Sequence, residues 1–270
     1  LDDHAAAEAV QMRALAAQRK AYGPDHVIVG TALNNLAEIH RETGDIDSAE
    51  VLHGQVLAIR RASLGEDHPD IAHSWLKLAL VAQDRGDIAT ALDHIREATA
   101  IHRHRATLPA ATATSPVEEH GEARDIFARH LDLIEQRLAA QPPDTDALLA
   151  EAFEVVQLAA ANRTAATVAR MAARFGAGDG ALAALVRERQ DMVERWNALD
   201  KRLLKAMARA REERDEQAEA DLRTELAVTG RAIRQLDREL AESFPDYAEL
   251  VSMQPLSLAD ATGFLGADEA

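Results

Sequence analysis

The sequence predicts an all-α protein. Three observations carry that prediction: an alanine-rich composition with few aromatics, a 42-residue repeat, and two long stretches with heptad spacing. Hydrophobic residues form 47% of the 270 positions, yet aromatics supply only 3%. Alanine, with 57 copies, has the best intrinsic helix propensity, whereas strands favour β-branched and aromatic residues. A β-rich fold is therefore disfavoured from composition alone.

The repeat is visible in separate matches at one offset. Gly23-Pro24-Asp25-His26 returns as Gly65-Glu66-Asp67-His68, and Gly44-Asp45-Ile46 as Gly86-Asp87-Ile88. Ala7-Glu8, Leu15-Ala16 and Arg19 match Ala49-Glu50, Leu57-Ala58 and Arg61. A fixed period of this length marks stacked supersecondary units. Each unit reads as two helices. Asp25 or His26 can cap a helix over 27–42, which stops at Gly44, where a glycine suits the left-handed end of a helix. A second helix follows over 46–63, with Ile46, Ala49, Leu52, Val56 and Ile59 on one face. Residues 68–85 and 88–104 repeat the pair, with Pro69 in the first turn, where its missing N–H is harmless. Residues 4–21 read as the second helix of a unit whose partner lies outside the sequence.

Beyond the repeats, 107–117 reads as a linker, because Thr, Ala, Ser and Pro there offer no face to bury. Helices are expected over 118–140, from Asp144 or Thr145 to about residue 160, and over 163–175. The glycines at 176, 178 and 180 then mark a turn; no strand precedes them and no Lys-Ser/Thr follows, which argues against a phosphate loop. Leu182, Leu185, Arg189, Met192, Trp196, Leu199 and Leu203 step by threes and fours, as do Leu222, Leu226, Thr229, Ile233, Leu236 and Leu240. Two such helices joined by a short polar turn make an antiparallel hairpin. Its arms, of about 30 residues, would each run roughly 45 Å. The expected register sets Leu203 opposite Leu222, Leu199 opposite Leu226, Trp196 opposite Thr229, Met192 opposite Ile233, Arg189 opposite Leu236 and Leu185 opposite Leu240. The tip falls between Glu212 and Glu213, and the Arg189 head reaches water. The expected organisation is thus a solenoid over 1–106, a linker over 107–117, connecting helices over 118–176, the hairpin over 177–244 and a tail over 245–270, with a short helix near Ser257.

Leu33-Asn34-Asn35-Leu36-Ala37, Gly44, Ala49 and the Gly-x-Asp-His link resemble tetratricopeptide repeats of the kinesin-light-chain type. The second unit departs at Trp75-Leu76-Lys77. The runs Met171-Ala172-Ala173-Arg174-Phe175, Leu185-Val186-Arg187-Glu188-Arg189-Gln190, Phe244-Pro245-Asp246-Tyr247 and Pro255-Leu256-Ser257 resemble the helical segment that precedes a CHAT domain, a caspase-like bacterial peptidase. That resemblance implies a peptidase domain beyond Ala270 and makes this chain its sensing and regulatory part, whose partners are a protein or peptide and the CHAT domain. Leu1 is not an initiator Met, and the chain reads as part of something larger.

Other functions find little support. There is no cysteine, so a thiolate metal site and a cysteine nucleophile are excluded within the chain. Ser115 and Ser257 have no spaced His and Asp partners. A net charge of −16 repels nucleic acid and anionic membrane on average, no transmembrane helix is expected, and the first residues given show no signal-peptide pattern. The expected compartment is the cytoplasm. His94, His102 and His104 read as solvated or capping side chains rather than a metal set, because i and i+2 positions do not share a helix face. His26 and His68 read as inter-repeat turn residues. No cofactor, metal or catalytic residue is expected. Repeat geometry puts the first helix of each unit on the inner wall, which selects Thr31, Asn34, Glu38 and Arg41 in one unit and His73, Leu76, Leu80 and Gln83 in the next as partner-binding residues. The alternative is a self-assembly module with no external ligand.

Overall fold

A computed structural model describes residues 2–64, 68–107, 116–160, 180–209, 211–247 and 255–264. Among them every regular element is helical. The helices are α1 (Asp2–Tyr22), α2 (Val27–Glu42), α3 (Ile46–Leu64), α4 (Pro69–Arg85), α5 (Ile88–Thr107), α6 (Pro116–Ala139), α7 (Thr145–Ala160), α8 (Ala181–Met207), α9 (Glu216–Ser243) and α10 (Leu258–Phe264), with a 3₁₀ turn at Arg211–Glu213. The helix expected over 163–175 and most of the glycine turn after it lie outside the described residues.

The chain divides into two compact units: residues 1–102 with 202–221, and residues 103–201 with 222–270. The hairpin is shared between them, its tip clustering with the solenoid and its arms with the connecting helices.

In the first unit α2 packs on α1 and α3, and α3 on α4. Gly44 and Gly86, one repeat apart, have φ of 85° and 84°. Left-handed backbone is cheap only for glycine, so each residue ends the first helix of its unit where the sequence suggests. His26, not Asp25, caps α2: its ring Nδ1 accepts the Ile28 N–H at 3.1 Å. His68 does the same for α4 with the Asp70 N–H, also at 3.1 Å. The core under α1 to α3 joins Leu15, Val29, Leu33, Leu36, Val56 and Ile59. Burying such side chains is worth about 1.5–3 kcal/mol each.

In the second unit α6 and α7 pack together and bury Ile126, Phe127, Leu133, Leu148 and Val155. Buried His130 meets Glu151 at 2.9 Å. The Gln157 amide binds the backbone of Leu256 twice, accepting its N–H and donating to its carbonyl, each at 2.9 Å. Ser257 then caps α10 by accepting the Asp260 N–H.

The hairpin arms meet near the expected pairing at Arg189 and Trp196, with two corrections. In α9 Leu222, Leu226, Thr229, Ile233, Leu236 and Leu240 are all buried. In the first half of α8, however, Ala183, Val186 and Val193 are buried, while Leu182, Leu185 and Met192 are only half-buried. The buried stripe is rolled by one residue there, as expected of a 3.6-residue helix drifting against a 3.5-residue pattern. The second correction is Arg189. Its side chain is buried, and its guanidinium donates to the Asp237 carboxylate instead of reaching water. Asp237 is the residue after the assigned neighbour Leu236, so this contact lies within one residue of the expected pairing. A Cβ placed on Gly230 would lie 3.7 Å from the Trp196 indole nitrogen, which puts Trp196 beside Thr229 and Gly230.

Candidate functional site

The partner-binding positions lie on α2 and α4, the first helices of the two units. These helices stand side by side, because two ion pairs join them. Lys77 Nζ is 3.1 Å from Glu38 Oε1, and Arg41 Nη1 is 2.8 Å from Asp84 Oδ2. Each pair connects one repeat to the next at a spacing near the 42-residue period, so the geometry follows from stacking.

Glu38 is the hub. Besides Lys77 it pairs with Arg41 on its own helix at 3.1 Å and lies 3.4 Å from Nε2 of His53 on α3. His53 is fully buried. The His53 contact, then Lys77 and Arg41, hold the Glu38 carboxyl far below the ordinary carboxylate range against the opposing effect of burial. Arg41 is held more firmly protonated, chiefly by Asp84. Two of the eight assigned positions therefore already serve the framework.

The other six differ in exposure. Thr31 is exposed, with its hydroxyl 3.4 Å from the Val27 carbonyl. Asn34 is half-buried, and its amide oxygen is buried with no hydrogen-bond partner. His73, Leu76, Leu80 and Gln83 are half-buried on α4. Burial first, then the cations Lys77 and Arg60, push the His73 imidazole down to about 4. It is a neutral donor and acceptor at physiological pH, and the wall carries no extra charge there.

Three contributors are not evident from single-unit periodicity. Lys77 stands out in sequence only as a departure from Asn35, and its role appears only when one unit is read against the next. His53 sits on a second helix, where a polar residue in a buried stripe was the available signal. Trp75, the repeat equivalent of Leu33, stacks on His94 at 5.2 Å between ring centroids and lies under the Arg61 guanidinium. His94 is thus a packing partner, and His102 is buried. Neither is the solvated or capping side chain that helix spacing suggests, because the second helix of a unit buries more than one face. Among the described residues no group of three His, Asp or Glu side chains is placed to hold a metal, and no helix is long and apolar enough to cross a membrane.

A family model described as tetratricopeptide repeat matches residues 1–62 and 31–104. Residues 1–104 are thus similar to tetratricopeptide repeats. The two matches cover α1 to α4 and all but the end of α5, and they overlap over residues 31–62, most of α2 and α3. Tetratricopeptide repeats generally mediate protein–protein interaction, which turns attention to the α2 and α4 wall. No curated protein matches the chain.

Proposed function

We propose that the repeats bind an extended segment of a protein along the wall formed by α2 and α4, as the sensing and regulatory region of a CHAT-type bacterial peptidase. The observation that carries the binding site is Asn34. Its side chain is half-buried on α2, and a side-chain amide offers both a donor and an acceptor to an extended peptide backbone whatever the peptide's sequence. Leu76 and Leu80, at the positions equivalent to Asn34 and Glu38, give apolar footing beside it. The Glu38 network holds the two helices in register, so the wall is formed before a ligand arrives, which lowers the cost of binding. The CHAT assignment rests on the runs around Phe175, Arg189, Phe244 and Pro255. Without a cysteine, the chain recognises and transmits; it does not cleave.

Self-assembly is the second reading, favoured by Val10 and Met12, which are more than half exposed on α1. A single comparison decides between wall and α1. With a captured partner, Asn34→Ala combined with Leu76→Glu weakens binding at least tenfold, about 1.4 kcal/mol, with helical circular dichroism unchanged. Val10→Ser combined with Met12→Ser leaves that affinity as it was. The reverse pattern, measured by calorimetry or by concentration-dependent mass, would hand the function to α1.

A further inference from the structure

The hairpin tip, Arg202–Asp221, clusters with the solenoid, and His26 is where the two are tied. The ring sits at the corner between α1 and α2, only 2% exposed, and both of its nitrogens are committed. Nδ1 accepts the Ile28 N–H and caps α2. A nitrogen that accepts carries no hydrogen, so the proton is on Nε2, which donates to the carbonyl of Met207 at the end of α8. Met207 is itself buried. One neutral tautomer therefore caps a solenoid helix and holds the tip at once.

The surroundings oppose a second proton. On Nδ1 it would face the Ile28 N–H, donor against donor, and the cap would be lost. From the tip, Arg214 and Glu219 bear on the ring. Arg214 disfavours a neighbouring cation. Glu219, 1% exposed, is largely neutralised by Arg214, which binds it through two N–H groups at 2.7 and 2.5 Å. From α1 comes the Tyr22 ring, 5.0 Å away between centroids, and Asp25 in the turn is exposed.

We propose that this corner is a pH-sensitive latch: neutral His26 keeps the tip on the solenoid, and protonation of its ring on mild acidification releases it. Burial lowers the His26 pKa, with the Met207 carbonyl opposing the shift. A base with a lowered pKa in the docked state takes up its proton more readily once released. Docking strength is therefore complete above the ordinary histidine pKa of about 6.5 and falls as pH drops below it. His68 supplies an internal control, since it makes the same cap one repeat on.

Hydrogen exchange on the full chain, corrected for intrinsic rates, tests the latch at about pH 7.5 and about pH 5.5. Protection of 202–221 falls several-fold on acidification, with only the first turn of α2 following it, while 31–42 and 69–85 keep theirs. His26→Asn retains a capping side chain that does not titrate, and it abolishes that pH step; His68→Asn leaves it in place. Nitrogen NMR of the unmodified protein gives a second readout that needs no variant: the Nε2–H tautomer at neutral pH, with protonation below the ordinary range. A tip equally protected at both pH values, a full pH step in His26→Asn, or a His26 ring that protonates at or above about pH 6.5 would overturn the latch.

Discussion

Glu38 shows how one side chain can be misjudged by position alone. Helical spacing places it on the inner wall, where a carboxylate invites a ligand. The structure surrounds it with Lys77, Arg41 and His53 instead, and the three together make ionisation of Glu38 part of folding. A carboxyl held below its ordinary value of 4.5 stabilises fully above that pH, and the contribution is lost as pH falls toward the folded-state pKa. Glu38→Gln removes the charge but keeps the shape. It lowers stability at neutral pH by about 1–3 kcal/mol and flattens the loss of stability on acidification below about pH 4.5. Denaturant melts of both proteins across that range check this, and parallel curves would contradict it. No pattern within one unit shows this network, because its members belong to two units and three helices.

At the scale of the element, much was legible. Repeat offset and capping chemistry place α2 to α5 within a few residues of their observed ends, since glycine at φ 85° and 84° leaves few alternatives for stopping a helix. The second hairpin arm also follows its heptads, residue for residue. The first arm does not, because small and β-branched residues at Ala183, Val186 and Val193 bury as readily as the larger ones one position earlier. A pattern of apolar residues wider than the seam leaves the roll of a helix undetermined. Leu199 is fixed by both pattern and burial. Leu199→Ala costs about 2–5 kcal/mol, read as a drop in the denaturation midpoint. A loss no larger than that of an exposed-site change would mean the seam is loosely packed.

For the whole molecule, the repeats and the hairpin are legible as separate parts, but the division of the hairpin between two units is not. Its tip is joined to the solenoid by a histidine 181 residues away in sequence, a contact with no periodic signature. The assigned positions fall on α2 and α4 as expected; that Glu38 and Arg41 are engaged internally was not legible. Asn34, Leu76 and Leu80 are the surface proposed for a partner, and recognition along them is the central claim. The most direct test is the hydrogen-exchange footprint of a captured partner on the full chain. Protection gained over 27–42 and 69–85, with the hairpin arms unchanged, is the predicted result. Protection confined to 181–201 and 222–243, with α2 and α4 exchanging as in the free protein, would contradict it.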